Sequence, residues 1–105
     1  MSHLPKWRCV GAVAELEKKG RLSVVIGEIH VGIFRVESGV YAIDDICPHA
    51  YGKLSSGYVK GESVECPLHN AVFNLQTGRC QFGGAWELKK YDVHVKGDGS
   101  VYIRI

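Results

Sequence analysis

Two short runs of the sequence combine cysteine with histidine. Cys47-Pro48-His49 supplies one residue of each type, and Cys66-Pro67-Leu68-His69 supplies a second pair. Thiolate sulfur and imidazole nitrogen are the donors with which proteins hold zinc and iron–sulfur clusters. Proline fixes the backbone φ angle and lacks an N–H group, so each run is expected to form a stiff turn. The Cys and His side chains therefore predict a metal site.

The order of these ligands bears on which metal is held. Structural zinc sites usually pair like ligands, as Cys-x-x-Cys followed by a pair of histidines, whereas each run here offers one Cys and one His. A [2Fe–2S] cluster in which two His replace two Cys on one iron suits this alternating order, because each turn can reach both irons. The order favours two metals over one. A zinc-stabilised binding domain is the alternative.

The residues around the ligands extend the pattern. The relevant stretches are Cys47-Pro48-His49-Ala50, Leu54-Ser55-Ser56-Gly57, Gly61, Cys66-Pro67-Leu68-His69, Phe73 and Thr77-Gly78. With them, the chain resembles the Rieske ferredoxins, the small electron carriers of bacterial ring-hydroxylating oxygenase systems. Hydrophobic strands on both sides carry this resemblance over nearly the whole chain.

The resemblance implies one [2Fe–2S] cluster and assigns its ligands. Cys47 and Cys66 would hold the inner iron, and His49 and His69 the outer iron near the surface. No catalytic residue is implied. The protein would carry single electrons from an NAD(P)H-dependent ferredoxin reductase, a flavoprotein, to the terminal oxygenase of an aromatic-ring dioxygenase system. The alternative is a Rieske-type small subunit of another reductase, such as nitrite reductase.

The chain departs from high-potential Rieske proteins at four positions. Those proteins join the two ligand loops by a disulfide, and the matching positions here are Gly52 and Leu68. They also donate hydrogen bonds to sulfur from a serine and a tyrosine hydroxyl, where this chain has Ala71 and Phe73. Fewer donors to sulfur disfavour the reduced cluster. The resemblance therefore implies a midpoint potential near the low end of the Rieske range, about −150 mV.

Length and composition narrow the function further. A chain of 105 residues is expected to form one domain, without room for the mononuclear iron site and substrate cavity of an oxygenase. A formal charge of +2 gives no reason to expect a nucleic-acid partner. No apolar run approaches the roughly 20 residues of a membrane span, and the N-terminus lacks the hydrophobic segment of a signal peptide. A cytoplasmic monomer is expected.

Two cysteines lie outside the motifs. In a reducing compartment, Cys9 and Cys80 are expected to remain thiols. Cys9 lies in an apolar stretch that begins at Trp7. The sequence predicts that Trp7 anchors the core and that Cys9 is a small buried hydrophobe.

Alternating apolar residues and turn signals predict an all-β fold. Strands are expected over residues 7–13, 21–26, 28–37, 40–44, 87–96 and 101–105, with one short helix over 14–19 that ends at Gly20. The last strands should complete the first sheet. The prediction is a Rieske fold in which a basal antiparallel β-sandwich or barrel, about 1–44 and 83–105, holds an inserted cluster-binding subdomain, about 45–82.

Overall fold

Short antiparallel strands make up most of the protein. The computed structural model describes residues 6–47, 52–68, 71–82 and 86–105. In chain order, the elements are β1 (Trp7–Ala12), α1 (Val13–Lys19), β2 (Arg21–Ile26), β3 (Ile29–Val36), β4 (Gly39–Asp44), a 3-10 helix (Leu54–Ser56), β5 (Tyr58–Lys60), β6 (Ser63–Glu65), β7 (Val72–Asn74), β8 (Cys80–Phe82), β9 (Lys90–Tyr91), β10 (Val93–Val95) and β11 (Ser100–Arg104).

These strands form three antiparallel sheets. Their strand orders are β1-β11-β10, β2-β3-β4-β9 and β5-β6-β7-β8. Strand β1 pairs with β11, with Trp7 opposite Arg104, so the two ends of the chain lie side by side. The prediction that the last strands complete the first sheet is therefore confirmed, as is the all-β class. No helix among the described residues is long and apolar enough to cross a bilayer.

The predicted short helix is present as α1. Its single fully buried side chain is Leu16, and its last turn carries Lys18 and Lys19. The helix ends because Gly20 adopts a left-handed conformation with φ 81°, from which its N–H donates to the Leu16 carbonyl at 2.7 Å. Glycine reaches this conformation without steric cost, which explains why the helix stops there.

Strand β3 connects the two halves of the hydrophobic core. Successive strand residues point to opposite faces of a sheet. Ile33 accordingly packs in one cluster of buried side chains, and its neighbour Phe34 packs in the other. The cluster around Ile33 contains Leu16, Val31, Ala42, Tyr91, Val101 and Ile103. The cluster around Phe34 contains Val36, Ile43, Cys47, Leu54, Val64, Cys66, Ala71, Phe73, Leu75 and Leu88.

A buried tyrosine links β9 to its neighbour β4. Tyr91 donates a hydrogen bond from its hydroxyl to Asp44 Oδ1 at 2.6 Å. Burial raises the pKa of Tyr91 well above its usual value, and the hydrogen bond to the Asp44 carboxylate raises it further. This tyrosine is therefore held as a neutral donor between β4 and β9.

Two predictions about β1 are wrong. Trp7 keeps 49% of its surface exposed and meets the His94 ring edge to face, and Cys9 is also exposed. Strand β1 lies at the edge of its three-stranded sheet, so it can present apolar side chains to solvent.

The continuous strand predicted over residues 87–96 is also wrong. Lys90–Tyr91 pairs with β4 in the sheet β2-β3-β4-β9, whereas Val93–Val95 pairs with β11 in the sheet β1-β11-β10. The chain changes sheets at Asp92. Sequence alternation predicts which residues are extended, but it does not distinguish one long strand from two short strands in different sheets.

Candidate metal centre

The first ligand run lies at the end of a narrow two-stranded ladder. Beyond β4, the Leu54 N–H donates to the Asp45 carbonyl at 2.7 Å, Ile46 bridges Lys53, and the Cys47 N–H donates to the Gly52 carbonyl at 2.8 Å. These contacts close the chain on both sides of residues 48–51. Cys47 is fully buried. His49, with Pro48, Ala50 and Tyr51, lies outside the described residues.

The second ligand run connects β6 to β7. Val64 pairs with Phe73 and Glu65 with Val72, and the Cys66 N–H then donates to the Ala71 carbonyl at 2.9 Å. The two loops thus share one closure, in which the cysteine N–H bonds the carbonyl five residues later. Cys66 is 1% exposed. His69 and Asn70 lie outside the described residues.

The two loops contact each other where they begin and end. A methyl group placed on Gly52 would lie 3.0 Å from two carbons of the Leu68 side chain and 3.6 Å from Cys66 Sγ. Gly52 is also the residue that accepts from the Cys47 N–H. The Cys66 thiol is therefore beside the closing residue of the Cys47 loop. The resemblance matches Gly52 and Leu68 to the disulfide positions of high-potential Rieske proteins, and these two residues lie next to each other here.

The described half of the donor set fits an iron–sulfur cluster. Cys47 and Cys66 both belong to the core cluster that contains Phe34, Leu54 and Phe73. Thiolates in such apolar surroundings are costly unless a metal compensates their charge. Cys47 and Cys66 supply two buried sulfurs from matching loops, and a bound iron–sulfur cluster would compensate the charge of their thiolates. The structure places both cysteines in one core cluster, while the predicted histidine ligands lie outside the described residues.

Two glycines of the motifs are required for close contacts around these loops. A methyl group on Gly57 would lie 2.0 Å from the Glu65 carbonyl oxygen, directly before Cys66. Gly78 has φ +78°, and a methyl group there would lie 2.5 Å from the Leu88 carbonyl oxygen. Neither contact leaves space for a side chain. The sequence pattern contained both glycines, and the structure supplies the reason for them.

A third loop follows β7. The Asn74 side chain accepts hydrogen bonds from the N–H groups of Gln76 and Thr77, each at 2.9 Å, and so forms the turn before Gly78. Farther on, the Cys80 N–H donates to the Trp86 carbonyl at 2.8 Å. Residues 83–85 lie outside the described part of the chain. Trp86 and Cys80 pack against the core cluster that contains Cys47 and Cys66.

Sequence reasoning missed Asp45, which is the one buried charged side chain among the residues that the structure describes. It stands two positions before Cys47 in a run of polar and apolar residues that is unremarkable in itself. Its partners Ser23 and Ser55 are distant in sequence, so no local pattern indicated that its carboxylate is buried. Of these three residues, only Ser55 belongs to a stretch that carries the family resemblance, Leu54-Ser55-Ser56-Gly57.

Comparison with known proteins agrees with this geometry. Residues 6–92 match the model of the Rieske [2Fe-2S] domain. The anthranilate 1,2-dioxygenase ferredoxin subunit of Burkholderia cepacia is 30% identical over 103 residues, which is 97% of this chain and 94% of that protein. A ferredoxin chain solved as "Complex of reduced oxygenase and oxidized ferredoxin in carbazole 1,9a- dioxygenase" is 31% identical, with a TM-score of 0.84 over 92% of this chain and 91% of that chain.

Nitrite reductase subunits share the fold as well. One solved protein, described as the small subunit of an NADPH nitrite reductase, is 30% identical and has a TM-score of 0.77 over 93% of this chain and 97% of that chain. Several curated relatives, by contrast, are ferredoxin components of anthranilate, naphthalene and phenylpropionate dioxygenase systems. The match across both ligand runs and most of the strands establishes that this chain belongs to the Rieske [2Fe-2S] domain family.

Proposed function

We propose that the protein is a soluble ferredoxin that carries single electrons from an NAD(P)H-dependent ferredoxin reductase, a flavoprotein, to the terminal oxygenase of an aromatic-ring dioxygenase system. The observation that carries the proposal is the pair of matching loop closures that bury Cys47 and Cys66 in one core cluster. Full-length similarity to a dioxygenase ferredoxin subunit supports the assignment. The carrier would be a cytoplasmic monomer and would have no catalytic residue.

The proposed ligands of one [2Fe–2S] cluster are Cys47, His49, Cys66 and His69. Such a cluster, when bound, accepts and releases one electron. Burial of Cys47 and Cys66 keeps water from the sulfur donors, while the paired loop closures hold both thiols in place. In the sequence, His49 and His69 lie between the residues that form those closures. Imidazole ligands there would leave one side of the centre accessible to a partner.

The proposed organisation is a single domain over residues 1–105. Its basal part comprises about 1–44 and 83–105, and the inserted cluster-binding part comprises about 45–82. Support comes from the sheet of β5 to β8, which lies wholly within the insert, and from the core cluster of Phe34 and Ile43, which packs under it.

The docking surface is proposed to lie on the ligand loops. Leu68 is 66% exposed, a high value for a large apolar side chain, and it immediately precedes the proposed ligand His69. Transient redox complexes typically have interfaces below about 1,200 Å². One exposed leucine with the neighbouring turn residues suits such a small and rapidly released contact.

Leu68→Asp is expected to weaken docking without disturbing the cluster. Burying a leucine side chain contributes about 1.5–3 kcal/mol, so we expect the KM for the ferredoxin to rise about tenfold or more. The measurement is substrate-coupled NADH oxidation, after reconstitution with candidate ferredoxin reductases and aromatic-ring oxygenases. Val25→Asp is the matched control, because Val25 is 55% exposed on β2, in the basal sheet β2-β3-β4-β9.

Three results would each contradict a different part of this proposal. An unchanged KM for Leu68→Asp, or an equal rise for Val25→Asp, would contradict the proposed docking surface. Electron delivery to a nitrite reductase but to no oxygenase would favour the small-subunit alternative, which the similarity to the nitrite reductase protein keeps open. A colourless protein with one zinc per chain would instead indicate a zinc-stabilised binding domain.

The midpoint potential is expected to be low, roughly −150 mV. Ala71 and Phe73 are fully buried in the same core cluster as Cys47 and Cys66. Neither side chain has a hydroxyl group that could donate a hydrogen bond to sulfur. Phe73→Tyr should therefore raise the midpoint in a redox titration, because a hydroxyl that donates to a sulfur stabilises the reduced cluster. A clearly positive midpoint for the unaltered protein would refute the expectation.

A further inference from the structure

The carboxylate of Asp45 is buried between strands β2 and β3 and the 3-10 helix Leu54–Ser56. Its exposed surface is 0%. Oδ2 accepts from the Ser23 hydroxyl of β2 at 2.8 Å and from the Ser55 hydroxyl at 2.7 Å, and Oδ1 accepts from the Ser55 N–H at 2.7 Å. Three donors from two separate elements therefore converge on one side chain.

The backbone of Asp45 is fixed as firmly as its side chain. Its N–H donates to the His30 carbonyl of β3 at 2.9 Å, and its carbonyl accepts from the Leu54 N–H at 2.7 Å. The latter bond is the first rung of the ladder that ends at Cys47 and Gly52. Asp45 thus joins β2 and β3 to the segment that carries the first cysteine.

The basal sheet has a space for this carboxylate at Gly32. A methyl group on Gly32 would lie 2.9 Å from Asp45 Oδ1 and 2.8 Å from a ring carbon of Phe34. Gly32 is buried in the middle of β3, where glycine weakens a strand unless something must approach its backbone closely. The side chain that approaches is Asp45. Because Gly32 has no side chain, the carboxylate fits against the backbone of β3 at this position.

No cationic side chain within the described ranges forms an ion pair with Asp45. The ion pairs there are Glu17 with Arg35, Lys60 with Glu65, Arg79 with Glu87 and Asp92 with Arg104, and none includes Asp45. Neutral hydroxyl and amide donors solvate the carboxylate instead. A negative charge in such surroundings acts on its neighbours with little screening, because the effective dielectric constant is low.

From these contacts we infer that Asp45 is a positioning residue for the iron–sulfur centre. Its buried carboxylate holds the first ligand loop on the basal sheet, and its uncompensated negative charge lowers the midpoint potential of the centre. The added electron makes the cluster more negative, so a nearby negative charge disfavours reduction. This inference rests on the proposed binding of a [2Fe–2S] cluster through Cys47 and Cys66.

The test compares Asp45→Asn with two other variants of the iron-loaded protein. Asp45→Asn keeps the size of the side chain and removes its charge. Ser23→Ala with Ser55→Ala removes both hydroxyl donors and retains the charge. Asp98→Asn removes a fully exposed charge from the turn between β10 and β11 and is the matched control. Two quantities are measured. The first is the midpoint potential, from a redox titration at one pH monitored by visible absorbance, and the second is the rate of iron release to a chelator.

The two roles predict different patterns. Loss of positioning should accelerate iron release in both Asp45→Asn and the double serine variant. Loss of charge should shift the midpoint to a more positive value in Asp45→Asn, whereas the double serine variant should show no positive shift. Asp98→Asn should match the unaltered protein in both measurements. A merely structural role of Asp45 would give no positive midpoint shift specific to Asp45→Asn.

Each outcome decides between the possibilities. An Asp45→Asn midpoint equal to or below that of the unaltered protein would overturn the effect of the charge. If Asp45→Asn retains no iron, the double serine variant decides, since iron release no faster than from the unaltered protein would overturn the positioning role. Absence of iron from the unaltered folded protein would overturn the proposed function itself, and this result is distinguishable from either failure of Asp45.

Discussion

Cys66→Ser is expected to leave the folded protein without its iron–sulfur cluster. Cys66 lies beside the residue that closes the other ligand loop, and its sulfur is buried in the apolar core. Serine lacks the soft sulfur donor that iron–sulfur clusters require. We expect the iron content to fall from about two atoms per chain to nearly none, with loss of the visible absorbance. Iron and acid-labile sulfide analysis of the purified protein measures both.

Cys9→Ser is the matched control for this change. Cys9 is exposed on β1, and its thiol contacts the Gly11 carbonyl at 3.8 Å. Its replacement should retain iron, sulfide and colour. If Cys66→Ser kept a full complement of iron, or if Cys9→Ser lost it equally, the assignment of Cys66 would be wrong.

The histidine side of the centre is tested by His69→Cys. If His69 binds the outer iron, a thiolate at this position should move the visible spectrum toward that of an all-cysteine cluster, or the cluster should be lost. The midpoint of a retained cluster should fall toward about −400 mV, because thiolate replaces a neutral ligand. An unchanged Rieske spectrum would exclude His69 as a ligand.

Gly57→Ala is expected to cause the second large effect, through sterics alone. The backbone of Gly57 has φ −87° and ψ −164°, a conformation that any residue adopts, so alanine introduces no backbone strain. The added methyl group would nevertheless lie 2.0 Å from the Glu65 carbonyl oxygen and 3.1 Å from the Leu54 carbonyl oxygen. One of the two segments must move, and Glu65 immediately precedes Cys66.

The expected cost of this clash is about 3 kcal/mol of the free energy of unfolding. For a domain of this size it corresponds to a fall in Tm of roughly 10–20 °C, with faster loss of iron on heating. Thermal denaturation followed by visible circular dichroism measures the loss of the centre. Gly97→Ala is the control, because no described residue other than its two chain neighbours has an atom within 4 Å of the position of its methyl group. A Tm for Gly57→Ala within a few degrees of the control would show that the segments adjust without cost.

Much of the chemistry was readable from residue types and spacing. Two thiols and two imidazoles in paired runs predicted a metal site, and the surrounding motifs indicated the family that the comparisons establish. The assignment of all four side chains as ligands stays a prediction, because the structure describes Cys47 and Cys66 but not His49 or His69. Burial of both cysteines in one cluster is consistent with that prediction.

Strand positions followed from local pattern, whereas strand partners did not. Residues 21–26 and the helix before Gly20 are where alternation and the glycine stop signal predicted them. The short strands β5 and β8 escaped prediction because three-residue strands carry too little periodicity to be recognised. The sheet change at Asp92 and the exposure of Trp7 depend on which strands lie alongside, which local alternation does not encode.

The sequence by itself determined the paired thiols and imidazoles and the all-β class, because each depends on residue type and short-range spacing. Only the tertiary structure decided that Gly52 contacts Leu68, that Gly57 approaches the Glu65 carbonyl and that Asp45 is buried over Gly32. These contacts join residues far apart in the chain. Their energies arise from excluded volume and desolvation, which exist only once the segments are brought together.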